Sequence, residues 1–222
     1  MFDIEFLSTE LIPVLNKGLW ISLAIIIPSS FFGVIFGIIL GIARVYASPL
    51  IRKISNAHVS LIRGVPLAVQ LIMIYFALPK IGLYFDPYFA AVISFIICSS
   101  AYQSEYIRGA LLSIRQGQMN AAKALGMTNL QAIINIIIPQ ATRRALPGCG
   151  NEIIYLIKYS SLAHLVTVMD IMGEGKAVAS AYFRFTEVFL VIGLYYLVLV
   201  TIATWILNAL EKHYHIPGFG TR

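Results

Sequence analysis

Residues 105–140, EYIRGALLSIRQGQMNAAKALGMTNLQAIINIIIPQ, form a polar and basic interruption between long apolar runs of the chain. The small residues Ala121 and Ala122 lie in a predicted short helix, and Gly126 permits a turn of the backbone after it. An apolar-rich helix is predicted to follow as far as Ile138. Pro139 fits the start of the next helix or a kink, because its missing N–H costs least there. This stretch is therefore predicted to be a helical docking surface at the mouth of a helical bundle.

The composition of the chain places this bundle in a lipid bilayer. Its 222 residues are 59% hydrophobic and 12% charged, with a mean hydropathy of +0.84. A soluble domain of this composition would leave large apolar patches facing water. The formal net charge of +6 is read as a membrane-topology signal, so no nucleic-acid partner is expected. Cys98 and Cys149 border or lie in apolar segments and are expected to be small buried hydrophobes.

The apolar runs predict five transmembrane helices, since about 20 residues cross a hydrocarbon core of about 30 Å. The expected fold class is an all-α integral membrane protein, with a single transmembrane domain over residues 1–222. The predicted spans cover about residues 18–45, 59–79, 88–112, 144–169 and 187–210, and the polar segment at about 117–139 separates the third from the fourth.

Two of these spans carry specific expectations. In the first, Gly33, Gly37 and Gly41 recur every fourth residue and predict a smooth face where another helix can approach closely. The second is long enough only if its helix starts near Val59, which requires the Arg63 side chain to extend back to the membrane surface.

The distribution of basic residues predicts which end of the bundle faces the cytoplasm. With five spans, eleven basic residues lie on one side and four on the other, and the richer side is expected inside. The polar 105–140 stretch is on that richer side. The N-terminus is therefore expected outside and the C-terminus in the cytoplasm. The richer side comprises Arg44, Arg52, Lys53, Arg63, Arg108, Arg115, Lys123, Arg143, Arg144, Lys212 and Arg222, and the poorer side Lys17, Lys80, Lys176 and Arg184.

The polar segment resembles the EAA loop of ABC-transporter permease subunits. The likeness rests on the alanine pair, on Gly126 and on the apolar ending before Pro139. Asn120 stands where the family usually has an acidic residue, so a hydrogen bond from Asn120 is expected in place of a salt bridge. The residues that the resemblance implies in coupling to an ATPase are Gln118, Asn120, Ala121, Ala122, Leu125, Gly126, Met127 and Pro139.

Other segments are similar to the polar amino-acid uptake branch of these permeases, the histidine, glutamine and arginine type. One is Arg63-Gly64-Val65-Pro66-Leu67, followed by Gln70 and by Tyr75-Phe76. Another is the run from Asn151 to Leu162, NEIIYLIKYSSL, which follows Arg143-Arg144-Ala145-Leu146-Pro147. Tyr159 departs from the acidic residue found in many relatives.

The resemblance implies a permease subunit of an ATP-driven importer of polar amino acids in the bacterial plasma (inner) membrane. It implies as partners a cytoplasmic ABC ATPase dimer, an extracytoplasmic amino-acid-binding protein, membrane lipid, and a second permease copy, either identical or homologous. The chain has no P-loop; the nearest approach ends in Gly175-Lys176-Ala177, with Ala177 in place of the metal-binding hydroxyl. ATP and Mg²⁺ are therefore expected on a separate subunit, with no cofactor in this chain.

Ionisable groups inside predicted spans are candidates for a substrate path, because burying them in a membrane is costly. Glu152 and Lys158 are six residues apart and point in different directions on a helix, so they are not expected to pair directly. Two other readings stay open: Glu152 at the cytoplasmic surface, and Lys158 packed at a dimer seam. The full candidate path is Gln70, Tyr102, Glu152, Tyr155, Lys158, Ser160 and Ser161.

Alternative functions remain open from the sequence. An ion-coupled carrier or channel subunit would work without ATP, and a structural subunit would have no path. An intramembrane enzyme would need a nucleophile or metal set, but no Ser/His pair, carboxylate pair or metal-binding cluster stands at a suitable spacing. The chain is therefore expected to be a transport subunit with no catalytic or metal site.

Overall fold

The computed structural model describes residues 3–214, which are helical and contain no β-strand within that range. Eight helices follow one another along the chain. They are α1 (Ile4–Tyr46), α2 (Pro49–Gly64), α3 (Leu67–Ile81), α4 (Pro87–Ser113), α5 (Gln116–Ala124), α6 (residues 129–159), α7 (Ile171–Tyr182) and α8 (Phe185–His213). A 3₁₀ segment, Ser160–Val166, joins α6 to the turn before α7.

Two helices are long and apolar enough by themselves to cross a membrane. They are α1, with 43 residues, and α8, with 29. The pair α2 and α3 is also long and apolar enough when the two helices are taken as one bent unit. The two remaining predicted spans involve α4 and α6, which are more polar. About half of the α4 side chains are buried inside the bundle, so this helix faces protein more than lipid.

Helix α4 lies along α1, and the predicted glycine face forms the contact. A Cβ atom added to Gly33 would stand 2.7 Å from the Ser99 hydroxyl, and one added to Gly41 would stand 2.7 Å from a methyl carbon of Ile107. A Cβ at Gly37 would overlap the Cβ of Gln103. The three glycines therefore let the two backbones approach closely, as the four-residue spacing predicts.

Gly37→Val is expected to destabilise the protein by about 1–3 kcal/mol or more, because the branched side chain would overlap Gln103 at the closest point of this contact. The measurement is the temperature at which the purified protein aggregates in detergent. Gly193→Val in α8 is the matched control, since a Cβ there meets no atom within 4 Å. An equal shift in both variants would contradict the packing account.

The prediction of one continuous helix over residues 59–79 is wrong. Helix α2 ends at Gly64, α3 begins at Leu67, and the two axes are bent by 100°. Val65 is extended because the ring of Pro66 disfavours the helical conformation in the residue before it. The Gln70 amide stabilises the break by donating hydrogen bonds to the carbonyls of Ile62, at 2.7 Å, and Val65, at 2.8 Å.

The helix that contains most of the predicted fourth span, 144–169, has different limits from that span. The helix begins at Asn129 and runs on through a π-helical turn, Ile133–Ile137, into Ile138–Tyr159. The π turn lets the helix continue into Pro139, which has no N–H to donate to the preceding turn. The α-helix then ends at Tyr159, ten residues before the predicted end. The apolar pattern continued beyond it because Ser160–Val166 packs in the core.

The two ends of the bundle are held by different contacts. At one end α1, α7 and α8 meet, where Arg184 forms an ion pair of 3.0 Å with Asp3 and Tyr182 donates a hydrogen bond of 2.8 Å to Glu10. At the other end the C-terminal part of α1 meets α2 and α4. The short helix α5 follows α4 directly and so belongs to this second end.

Candidate functional site

The turn between α5 and α6 is defined by two capping motifs. After α5, Gly126 N–H bonds Lys123 O at 2.9 Å and Met127 N–H bonds Ala122 O at 3.1 Å, a Schellman ending. Gly126 has φ +84, and a Cβ there would meet no atom within 4 Å. The glycine is therefore required for its backbone conformation rather than for space.

A capping box starts α6. The Thr128 hydroxyl accepts a bond of 3.3 Å from Gln131 N–H, and the Gln131 side chain accepts one of 2.9 Å from Thr128 N–H. The Thr-x-x-Gln pattern was visible in the sequence and could have located this helix start. The two motifs fix the turn on both sides.

An apolar surface lies on the outside of this turn. Leu125 is 81% exposed, Leu130 66% and Ile134 52%. We call these three residues the coupling face. Leu130 and Ile134 were missed by the sequence prediction, although their spacing of four residues puts them on one side of a helix.

The alanine pair does not point in one direction. Ala121 is exposed, whereas Ala122 is only 4% exposed and is buried against its own chain. Ala122 therefore packs on its own chain, and Ala121 is the member of the pair that is available to a partner. Adjacent positions on a helix point about 100° apart, so one of the two can be packed while the other is exposed.

Polar side chains form hydrogen bonds within α5 and between α5 and α6. Asn120 accepts a hydrogen bond of 3.5 Å from the Gln116 amide one turn earlier. The Gln118 side chain accepts one of 3.4 Å from Gln140, which also bonds Ile136 O at 2.9 Å. Gln118, Asn120 and Pro139 are exposed, and Met127 is half-buried. Pro139 is the second residue of the α-helical part of α6, Ile138–Tyr159.

Glu105 holds together three helices beside this segment. Its carboxylate accepts from Arg44 of α1 at 2.8 Å, Arg63 of α2 at 2.9 Å and Arg108 of α4 at 2.9 Å. The Arg44 side chain is 6% exposed and also bonds Asn56 at 2.7 Å and Ser104 at 3.0 Å. We call this set the Glu105 cluster.

An open cavity of about 380 Å³ lies next to the Glu105 cluster. Its wall includes Arg63, whose guanidinium lies over the Tyr102 ring at 5.2 Å. It is also lined by Cys98 of α4, by Tyr159 at the end of α6 and by Leu162 of the 3₁₀ segment. Tyr102 is therefore a predicted path residue that lines this cavity. Arg63 and Tyr159 also line it, although they were not predicted as path residues.

Glu152 is buried without a hydrogen-bond partner. It is 3% exposed, and within residues 3–214 no hydrogen bond or ion pair reaches its carboxylate. Tyr159, which lines the cavity, lies seven residues, or about two turns, further along the same helix. An acid buried this way is costly unless a counter-charge or water compensates it.

The other predicted path residues are distributed around α6. Lys158 lies over the Tyr155 ring at 4.5 Å, and Tyr155 stacks on Tyr159 with ring centres 6.2 Å apart. Lys158 does not pair with Glu152 in the described part of the chain, in agreement with their spacing. The hydroxyls of Ser160 and Ser161 donate to the carbonyls of Ile157 and Lys158, at 2.8 and 2.7 Å. Gln70 uses its amide protons at the α2–α3 break and not in the cavity.

Comparison with known proteins gives a consistent set of similarities. A family model described as binding-protein-dependent transport system inner membrane component matches residues 33–216. The probable amino-acid ABC transporter permease protein PatM of Vibrio harveyi is 38% identical, over 96% of this chain and 98% of PatM. The glutamine transport system permease protein GlnP of Escherichia coli (strain K12) is 35% identical, over 92% of this chain and 94% of GlnP.

Solved structures show the same fold. A crystal structure of an amino acid ABC transporter with histidines superposes with a TM-score of 0.88 at 30% identity, over 96% of this chain and all of that one. A chain of the inward-facing MetNI methionine ABC transporter superposes with a TM-score of 0.80 at 21% identity, over 94% of this chain. At that identity the second match shows a shared fold only.

Proposed function

The chain belongs to the family of binding-protein-dependent transport system inner membrane components, and on this basis we propose that it lines half of the path of an ATP-driven importer of polar amino acids. It is a multi-pass inner-membrane permease subunit of an amino-acid ABC transporter. ATP is hydrolysed by a separate ATPase subunit, and the family works with an extracytoplasmic substrate-binding protein. The second permease in the proposed pair is another copy or a homologous subunit.

Five membrane crossings are proposed, formed by α1, α3, α4, α6 and α8. The more polar α4 and α6 are compatible with crossing because their polar groups face the bundle interior. For example, the Gln103 side chain of α4 donates a hydrogen bond of 3.2 Å to the carbonyl of Cys149 of α6. The proposed orientation has the N-terminus outside. Support comes from the Glu105 cluster, whose three arginines lie at the same end as α5, whereas Arg184 lies at the opposite end with Asp3.

Coupling to the ATPase is proposed through the turn between α5 and α6. The observation that carries this is the coupling face, an exposed apolar surface on a segment that is otherwise polar. Ala121 and Gly126 extend it, while Gln118, Asn120 and Met127 surround it. Ala122 and Pro139 are proposed to act indirectly, by packing α5 on α6 and by shaping α6.

The proposed substrate path runs through the cavity lined by Arg63 and Tyr102, with Glu152 nearby. A zwitterionic amino acid needs a cation for its carboxylate and an anion for its ammonium group. Arg63 and Glu152 are charges of the required signs, and the Glu152 carboxylate has no bond within the described chain. Tyr155, Lys158, Ser160 and Ser161 are proposed to border the path, whereas Gln70 braces the α2–α3 break.

Glu152→Gln is expected to lower amino-acid uptake by about tenfold or more, because a hydrogen bond to a charged group contributes about 1.5–3 kcal/mol. The measurement is uptake of labelled amino acid into proteoliposomes that contain the assembled transporter. ATP hydrolysis without substrate is expected to be unchanged, since the coupling face is intact.

The matched control is Glu211→Gln at the end of α8, which removes the same charge away from the cavity and is expected to be neutral. Uptake by Glu152→Gln equal to that of the unmodified protein would contradict a role for this carboxylate in the path.

Reconstitution tests the proposed function as a whole. The permease, its ATPase and its binding protein are assembled in proteoliposomes, and uptake of polar amino acids is measured with ATP, with a non-hydrolysable analogue, or with an ion gradient alone. Uptake only with hydrolysable ATP and the binding protein is expected. Uptake driven by the ion gradient alone would favour the ion-coupled carrier or channel instead.

A further inference from the structure

Helix α2 has two unlike surfaces. Leu50, Ile54 and Leu61 are each more than half exposed and recur at helical spacing on one side. The opposite side is packed, with Ser55 and Val59 buried. A helix with this division lies along a membrane surface with its apolar side towards the acyl chains.

The middle and the C-terminal end of α2 are fixed to the bundle. Asn56 accepts the 2.7 Å bond from Arg44 of α1, and Arg63 forms the 2.9 Å ion pair with Glu105 of α4. The helix is bent by 100° from α3. If α3 crosses the membrane, α2 must therefore run nearly parallel to the membrane plane. This direction does not depend on which end of the bundle faces the cytoplasm.

The polar edge of α2 carries positive charge that is not neutralised. Residues 49–64 contain Arg52, Lys53 and Arg63 and no acidic residue. Arg63 is paired with Glu105, but no carboxylate within residues 3–214 forms an ion pair with Arg52 or Lys53. Two exposed cations thus lie on a helix at membrane-surface depth.

An apolar groove of about 460 Å³ runs beside α2, between α1 and α4. Its wall comprises Phe36, Ile39 and Leu40 of α1 and Ile93, Ile96 and Ile97 of α4. Ser100 also lines it, but its hydroxyl donates to Ile97 O at 2.9 Å. His58 of α2 lies at the groove, and no described residue hydrogen-bonds its imidazole. An apolar space that has an unpartnered polar group in its wall suits a chain with a polar head.

We propose that α2 and this groove bind an anionic phospholipid. One acyl chain occupies the groove, and the phosphate lies at the edge of the groove beside His58, with Arg52 and Lys53 about one to two turns closer to the N-terminus of α2. A second copy of this chain fits less well, because a symmetric contact would bring two cation-rich, acid-free α2 helices together. The bound lipid would stabilise the bend at Gly64 to Pro66, from which α3 starts.

Native mass spectrometry of the assembled transporter tests this proposal, with phosphatidylglycerol and phosphatidylcholine added in turn. Phosphatidylglycerol is expected to be retained about tenfold more strongly than phosphatidylcholine. The pair Arg52→Gln and Lys53→Gln is expected to abolish this preference. Ile97→Trp, which fills the groove, is expected to reduce retention of both lipids.

The matched control is the pair Lys80→Gln and Lys176→Gln, which removes the same charge elsewhere on the chain and is expected to leave the preference unchanged. Three results would overturn the proposal: equal retention of the two lipids, an equal loss in the control pair, or unchanged retention in both α2 and groove variants. Basal ATP hydrolysis is recorded on the same samples, so that a failed assembly is distinguished from a lost lipid site.

Discussion

Leu125→Asp is expected to reduce ATP-driven uptake by about 30-fold or more, although the permease still folds. Leu125 is the most exposed residue of the coupling face and touches little of its own chain, so the substitution costs the isolated subunit little. At the proposed interface the same change removes an apolar anchor and buries a charge. Truncation of such a central anchor typically costs about 2 kcal/mol or more, which corresponds to about 30-fold in affinity.

The measurement is uptake together with the amount of ATPase that co-purifies with the permease. Asn129→Asp is the matched control, because it adds the same charge to an exposed position in the same turn. As the first residue of α6, it lies where a helix N-terminus favours an acidic side chain. Unchanged uptake and co-purification with Leu125→Asp would contradict the coupling assignment.

Glu105→Gln is expected to destabilise the folded permease strongly, by about 3 kcal/mol. The change leaves the buried Arg44 guanidinium without its carboxylate, and breaking one side of a buried ion pair typically costs about 3–5 kcal/mol. The expected loss lies at the lower limit of this range because the Arg63 and Arg108 side chains are 41% and 36% exposed. Their contributions are screened by water.

Thermal aggregation in detergent measures this effect. Glu187→Gln is the control, since that carboxylate pairs with the partly exposed Arg184 at 3.5 Å and is expected to contribute little. Arg44→Met combined with Glu105→Gln is expected to recover part of the loss, because the buried charge is removed as well. Equal stability of Glu105→Gln and the unmodified protein would show that the cluster does not hold α1, α2 and α4 together.

Features set by a local pattern were predictable from the sequence. Gly33, Gly37 and Gly41 face another helix as their spacing indicates, because only glycine permits that approach. The turn at Gly126 follows from the need for a positive φ. Helix α8 includes residues 187–210 because the apolar run from Val188 to Leu210 has no charged residue and is bounded by Glu187 and Glu211.

Helix continuity near proline was not predictable from apolar patterning. The helix is interrupted at Pro66 and continues through Pro139, although both prolines lie beside apolar runs. The difference lies in the backbone hydrogen bonds: Gln70 caps the first break, and a π-helical turn accommodates the second proline. These arrangements depend on tertiary packing.

The candidate site was only partly predictable for a similar reason. Arg44 and Glu105 are 61 residues apart in sequence, and sequence reasoning gave no signal that joins them. The ion pair of Arg63 with Glu105 and the place of Arg63 in the cavity wall were likewise not predicted. The inward position of Ala122 likewise depends on how α5 packs on α6.

Photo-cross-linking from position 125 tests the central claim, that the turn between α5 and α6 docks on the ATPase, most directly. A photoreactive amino acid is introduced at Leu125 or at Tyr84, an equally exposed position in the loop between α3 and α4. The assembled transporter is irradiated, and adducts are identified by mass. Adducts with the ATPase are expected from position 125 and not from position 84. No ATPase adduct from position 125, or equal yields from both positions, would contradict the account.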